Sequence, residues 1–157
     1  MMANVLDVAS YILLAKGEMS AMKLQKLAYY SQAWSLAWDE AELFSDEIQA
    51  WAGGPVIPTL YEKHRGRFLV NNSIFPSDPS DRLTVRQRDT IDNVLSFYGN
   101  RTAQWLSDLS HLEVPWLEAR SRANAEQGAL CREVITTAAM AEYYSGLMAS
   151  EPTQAIA

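Results

Sequence analysis

The sequence has few of the residues that form covalent cross-links or metal sites in small proteins. It contains one cysteine, Cys131, and two histidines, His64 and His111, among 157 residues. A single cysteine excludes an internal disulfide bond and indicates a reducing compartment. These three residues form no pair at the spacing of metal ligands, such as C-x-x-C or H-x-x-x-H. We therefore predict neither a metal site nor a cofactor.

Long hydrophobic runs are missing as well. No stretch of the sequence approaches the ~20 consecutive apolar residues that a membrane-spanning helix needs. The first seven residues lack the basic flank and the apolar run of a signal peptide. These features predict a soluble cytoplasmic protein without membrane contact.

The charge balance is acidic, so an excess of basic residues is also absent. The formal net charge is −6, and the isoelectric point is near 4.9. Proteins bind nucleic-acid phosphates mainly through lysine and arginine, so this balance argues against nucleic acid as the main partner. Local basic clusters do occur, at Lys63, Arg65 and Arg67 and again at Arg82, Arg86 and Arg88.

The spacing of the apolar residues predicts a series of helices. Residues 4–15 have helical periodicity, and Ser20 suits the N-cap of a second helix that reaches about residue 39. This second helix is apolar on nearly every side, which is typical of the buried axis of a fold. Further helical segments are predicted to start at Pro58, at a Thr84–Gln87 capping box, at Thr102 and at Thr136 or Thr137, and Pro115 is predicted to open a single turn.

Together these patterns predict a mainly α fold. Residues 42–52 have a partial period of two, so we expect a small strand or hairpin element there. The sequence Gly53-Gly54-Pro55 is expected to break any regular element, and residues 71–80 are expected to form a loop. We predict one compact helical domain around a central buried helix, over residues 1–149, followed by a frayed tail at 150–157.

No arrangement of residues indicates catalysis. Ser110 and His111 are adjacent but lack a surrounding G-x-S-x-G elbow, so capping or loop roles explain them better. Gly53-Gly54-Pro55 precedes a helix but lacks the Lys-Ser/Thr ending of a phosphate-binding loop. We therefore predict a binding protein rather than an enzyme.

Several of these residues occur together, in the same order, in one known family. Residues 22–34, MKLQKLAYYSQAW, strongly resemble the central helix of the Panacea antitoxin domain, also called SocA-like. The resemblance continues along almost the whole chain, at Leu43-Phe44, residues 48–51, residues 53–56, Leu60-Tyr61, residues 64–66, residues 109–111, Pro115-Trp116, Ile135 and Tyr143-Tyr144.

The resemblance implies a bacterial, often phage-borne, antitoxin that neutralises a cognate protein toxin by direct contact. It also implies an alternative, an adaptor that delivers its toxin to an ATP-dependent protease. The apolar tail Ala155-Ile156-Ala157 faintly resembles the tails that bacterial proteases recognise. A different alternative is an uncharacterised hydrolase that uses His64 or His111 with a carboxylate. The identity of the toxin and the oligomeric state are left open.

Two sets of residues are assigned from the family motif and from the polarity of the predicted helices. The first set is predicted to line the surface that binds the partner, although internal packing and hydrogen bonding would also explain it. It consists of Lys26, Tyr29, Trp51, Tyr61, His64 and Arg65. The second set is predicted to have a structural role, in the core or in a rigid turn. It consists of Leu24, Gln25, Leu27, Phe44, Gly54, Pro55, Val56, Pro115 and Trp116.

Overall fold

The computed structural model describes residues 3–75 and 80–150, which form a mainly α structure. The helices are α1 Val5–Lys16, α2 Ala21–Trp38, α3 Pro58–His64, α4 Val85–Tyr98, α5 Ala103–Leu112, α6 Val114–Arg122 and α7 Thr137–Ser150. The strands are β1 Met19–Ser20, β2 Gln49–Trp51, β3 Gly54–Val56 and β4 Leu69–Val70. The predicted fold class is therefore confirmed.

Side-chain caps fix where most of the helices begin. The Asn4 side chain accepts hydrogen bonds at the start of α1, and the Ser20 hydroxyl accepts one from the Lys23 amide at the start of α2. Thr84 and Gln87 form the predicted capping box of α4. Each cap satisfies backbone N–H groups that have no partner inside the helix. The helix starts predicted from the sequence at these positions are confirmed.

The second helix, α2, is the buried axis of the fold, as predicted. It packs against α7, α4, α1 and α5, and the side chains of Leu24, Leu27 and Trp34 are fully buried. The indole nitrogen of Trp34 donates to the Tyr98 hydroxyl of α4 at 2.9 Å. Phe44, in the segment after α2, is also fully buried. Residues 24–35 are buried without exception, so neighbouring elements cover this part of the helix on every side.

The hairpin differs from the sequence prediction in its position. Strand β2 pairs with β3 in an antiparallel hairpin, so Gly54 and Pro55 lie in a strand instead of ending all regular structure. Pro55 is tolerated because the backbone N–H and C=O groups of its partner, Ala50, form their hydrogen bonds outside β3. The Ala50 N–H donates to the backbone carbonyl of Glu133, and the Ala50 carbonyl accepts from the side chain of Arg120. The missing N–H of Pro55 therefore removes no bond from the ladder.

Three further details depart from the prediction or lie beyond it. Strands β1 and β4 pair with each other, although the sequence did not predict either of them. Pro115 opens a nine-residue helix rather than a single turn. The predicted tail at 150–157 lies outside the described residues except for Ser150, where α7 ends.

Among the described helices, none has both the length and the hydropathy that crossing a bilayer would require.

A buried carboxyl group lies where α2 approaches α6 and α7. Glu113, which precedes α6, is 5% exposed. Its Oε1 atom accepts hydrogen bonds from the hydroxyl groups of Tyr30 at 2.7 Å and Tyr144 at 2.8 Å. Burial raises the pKa of this carboxyl to about 7, although both tyrosine hydrogen bonds act to lower it.

Candidate functional site

One side of the molecule has an open groove of about 490 Å³ between α2, the hairpin and α3. Four of the six residues predicted to bind the partner line this groove, namely Lys26, Trp51, Tyr61 and His64. The other lining residues are Ala21, Met22, Gln25, Gly53, Val56, Gly66, Arg67 and Phe68. The groove therefore brings together residues that are up to 47 positions apart in the sequence, from Ala21 to Phe68.

The other two predicted contact residues lie away from the groove lining. Arg65 follows α3 and is exposed, with a solvent-accessible ion pair to Glu62 at 3.8 Å. Tyr29 is 1% exposed, and its hydroxyl shares a hydrogen bond with that of Tyr144 at 3.1 Å. The Tyr29 ring meets the Tyr144 ring of α7 edge to face, with 6.3 Å between their centroids, so it faces the core instead of the surface. This side chain is therefore not part of the candidate contact surface.

Aromatic and apolar side chains form much of the groove wall. The rings of Trp51 and Tyr61 meet edge to face with 5.0 Å between their centroids, and Tyr61 meets His64 in the same way at 5.3 Å. Two apolar side chains are strongly exposed to solvent, Met22 at 47% and Phe68 at 80%. Because these two side chains lie together beside a groove, this surface is a candidate for contact with another molecule.

The Gln25 amide joins the groove floor to the start of α3. Its Oε1 accepts from the Ile57 backbone amide at 2.8 Å, and its Nε2 lies 3.0 Å from Nε2 of His64. Because an amide nitrogen only donates, the facing nitrogen of His64 acts as the acceptor, and the ring proton is on Nδ1. Burial lowers the pKa of His64, which is consistent with a neutral imidazole in the groove.

Lys26 is a buried cation at the edge of the hairpin. The residue is 2% exposed, and its Nζ donates to the Pro55 carbonyl at 3.2 Å. Burial lowers the pKa of Lys26 to about 8. Gly54 gives the lysine its space, since a Cβ atom at this position would be 2.8 Å from Cε and 3.1 Å from Nζ of Lys26.

Replacing Gly54 with alanine is expected to lower the free energy of unfolding by about 2 kcal/mol. The φ angle of Gly54 is +120°, which side-chain-bearing residues rarely adopt, and the new Cβ would displace Lys26. Urea denaturation measures the effect. Gly53→Ala is the matched control, because a Cβ at Gly53 meets no atom within 4 Å. Equal stability of the two variants would contradict this explanation of Gly54.

Side chains from α5 and α6 bind four consecutive backbone carbonyl groups of the hairpin, those of residues 50–53. Arg120 donates to the Ala50 carbonyl at 3.0 Å, and the Trp116 indole donates to the Trp51 carbonyl at 2.8 Å. His111 contacts the Ala52 carbonyl at 3.0 Å, and the Ser107 hydroxyl donates to the Gly53 carbonyl at 3.0 Å. These bonds explain the structural role predicted for Trp116.

Sequence reasoning missed part of the groove. Phe68 lies in a short segment without hydrophobic periodicity, so no pattern distinguishes it from a core residue. Met22 precedes Lys26 by one helical turn, but the apolar character of all of α2 hides its exposed face. Within residues 3–75 and 80–150, no group of three or more His, Cys, Asp and Glu side chains is arranged to hold a metal ion.

Comparison with known proteins identifies the family. No curated protein and no solved structure matches this chain. Residues 24–117 match the model of one protein family, described as the antitoxin SocA-like, Panacea domain. This match covers α2 from Leu24 onward, the hairpin, α3 and most of the groove lining, and it ends within α6. The chain therefore belongs to the SocA-like, Panacea domain antitoxin family.

Proposed function

We propose that this protein is an antitoxin that neutralises a protein toxin by direct binding, and that the groove is its contact surface. Membership of the family supports a toxin as the class of partner. The observation that carries the choice of surface is the exposure of Met22 and Phe68 beside a shaped cleft. Such a cleft lets a partner bury apolar surface while polar groups fix its orientation.

Within this surface, the aromatic residues are the expected anchors. Trp51 and Tyr61 belong to the residue types that contribute most to binding free energy at protein interfaces. Trp51 is already held by a hydrogen bond from its indole nitrogen to Gln49 at 2.8 Å, so little side-chain entropy is lost on binding. Arg65 is next in sequence to the lining residues His64 and Gly66 but is solvent-exposed, and an exposed charge contributes less to affinity.

Replacing Trp51 with alanine is expected to weaken toxin binding by at least ~2 kcal/mol, roughly 30-fold in Kd. Phe68→Ala is expected to weaken it as well, with little effect on the fold because the side chain is 80% exposed. The product of the neighbouring reading frame, if it is toxic alone and tolerated on co-expression, is the partner for pull-down and calorimetry.

Leu130→Ala is the matched control for Phe68→Ala. Leu130 is also 80% exposed, but it does not line the groove. Circular dichroism checks that every variant remains folded. If Trp51→Ala and Phe68→Ala bind the toxin as tightly as Leu130→Ala does, the groove is not the contact surface.

The two modes of neutralisation differ in the fate of the toxin. Occlusion leaves the half-life of the bound toxin unchanged or longer, whereas delivery to an ATP-dependent protease shortens it. The toxin level after protein synthesis is blocked, with and without the antitoxin, separates the two modes. We propose a cytoplasmic location for either mode, because Cys131 is a free buried thiol that suits a reducing compartment.

The hydrolase alternative has less support from the groove chemistry. A histidine that acts as a general base is usually oriented by a carboxylate, as in the serine-protease triad. The partner of the His64 imidazole in the groove is the Gln25 amide, and both ring nitrogens of His111 contact backbone carbonyls. We therefore propose binding without turnover.

A further inference from the structure

We propose that the groove binds an extended segment of its protein partner, in which an aspartate or glutamate carboxylate contacts Lys26 between flanking apolar side chains. This inference rests on the proposed function and adds the chemistry of the partner segment. Three observations carry it, namely the hydrogen bonding of Lys26, the local charge around the groove and the apolar residues beside the cation.

The Lys26 ammonium has donors that the protein leaves unused. An ammonium group carries three N–H donors. Among the residues that the structure describes, the Pro55 carbonyl is the one acceptor that Lys26 contacts. The residue is nevertheless 2% exposed, and it lines the groove. A buried cation without a counter-ion is unfavourable, and a carboxylate placed in the groove would remove this penalty.

The charge around the groove is opposite to that of the whole chain. Of the residues that line it, Lys26 and Arg67 are basic and none is acidic. The segments that contain or adjoin the lining, residues 19–26, 51–56 and 58–70, have five basic residues and one acidic residue, Glu62. The basic residues are Lys23, Lys26, Lys63, Arg65 and Arg67. Since the chain as a whole has a net charge of −6, this local excess favours an acidic partner segment at the groove alone.

The apolar residues beside Lys26 suit an extended segment. Met22 and Lys26 are four residues apart on α2, so they lie one helical turn, about 5.4 Å, from each other on one face. In an extended strand, side chains two positions apart point to the same side and are about 7 Å apart. A residue pattern with an acidic side chain two positions from an apolar one therefore matches the groove.

The test compares two labelled peptides that differ only in charge. Fluorescein-Leu-Ala-Asp-Ala-Leu-amide and its counterpart with asparagine in place of aspartate are titrated with the protein, and fluorescence anisotropy gives Kd. We expect the aspartate peptide to bind at least roughly 10-fold tighter, because it alone has a carboxylate side chain, while the anionic fluorescein label is the same in both peptides. In the variant Lys26→Met, which keeps the side-chain length, the two peptides are expected to bind equally.

A pH titration of the unmodified protein gives a second readout. The pKa of Lys26 is about 8, so the ammonium is lost between about pH 7 and about pH 10. Binding of the aspartate peptide is expected to weaken over this range, whereas binding of the asparagine peptide stays constant. The other ionisable side chains that line the groove are Tyr61, His64 and Arg67. Titrating Lys26→Met with the aspartate peptide over the same pH range controls for all three, because these groups remain while the lysine is absent.

Equal affinity for the two peptides, or no binding of either peptide at about 1 mM, would overturn the inference. Two further probes test other ligands, namely Leu-Ala-Leu with a free C-terminal carboxylate and an oligouridine. Tighter binding of either probe than of the aspartate peptide would also overturn the inference. The proposed function is tested separately by Trp51→Ala and the toxin. If that variant loses the toxin while the two peptides bind equally, the contact surface stands and the acidic segment is wrong.

Discussion

The variant Glu113→Gln is expected to be more stable than the wild-type protein by up to about 3 kcal/mol at about pH 8.5. Above pH 7 the wild-type protein must keep a carboxylate buried between α2, α6 and α7, where Glu113 is 5% exposed. A glutamine oxygen accepts the same two tyrosine hydrogen bonds but carries no charge. The variant therefore avoids the desolvation penalty of the carboxylate.

The sign of the pH dependence follows from the direction of the pKa shift. Burial raises the pKa of Glu113 from 4.5 to about 7 in the folded protein. Between these values the folded state binds more protons than the unfolded state, so the free energy of unfolding falls as pH rises. The stability difference between Glu113→Gln and wild type should therefore be near zero at about pH 4 and largest above pH 7.

Chemical denaturation at several pH values measures this difference. His64, whose pKa is lowered by burial, has the opposite effect, since its contribution to stability is lost as pH falls. Subtracting the wild-type profile from the variant profile cancels the His64 contribution. Glu126→Gln is the matched control, because Glu126 is exposed and its side chain should have little effect. A difference that does not change with pH would contradict the assignment to Glu113.

Local signals explain which parts of the fold the sequence predicted well. The caps at Ser20 and Thr84 act over three residues, so they can be recognised without knowledge of the tertiary structure. The apolar character of nearly every face likewise identified α2 as the buried axis. The pairing of β1 with β4 was not predicted, since it joins two-residue segments about 50 positions apart. Such short strands have no periodicity of their own.

The hairpin shows where composition alone misleads. Glycine and proline usually end strands, so Gly54 and Pro55 were predicted to break regular structure. Their position in β3 depends on Arg120, which binds the partner strand from a helix 70 residues away. A contact at that sequence separation cannot be inferred from the residues of the hairpin.

Only part of the candidate site could be predicted from the sequence. Trp51, Tyr61 and His64 come from a family motif, and the fold brings them to one groove. Tyr29 could not be assigned to a face, because a helix that is apolar on every side has no period that separates core from surface. The buried carboxyl of Glu113 was not recognised, since its burial depends on Tyr30 and Tyr144 from two other helices.

Replacing Gln25 with methionine is expected to lower the free energy of unfolding by about 3 kcal/mol. Methionine has a similar length and helix propensity but cannot accept the hydrogen bond from the Ile57 amide. Ile57 is fully buried, so its N–H group would be left without a partner or solvent. The Ile57 carbonyl, which also accepts from the Gln25 amide nitrogen at 3.2 Å, would still accept from the Tyr61 amide. The substitution therefore leaves the Ile57 N–H group without an acceptor and removes the contact with His64.

Gln104→Met is the control that separates this effect from the chemistry of the substitution. Gln104 lies on α5, where its amide donates to Asp108 at an exposed position, so its replacement should change stability by less than about 0.5 kcal/mol. Hydrogen exchange adds a local readout, since the Ile57 amide should lose protection in the Gln25 variant. If both variants have the same stability and Ile57 remains protected, another group satisfies this amide. The link between α2 and α3 beneath the groove would then not depend on Gln25.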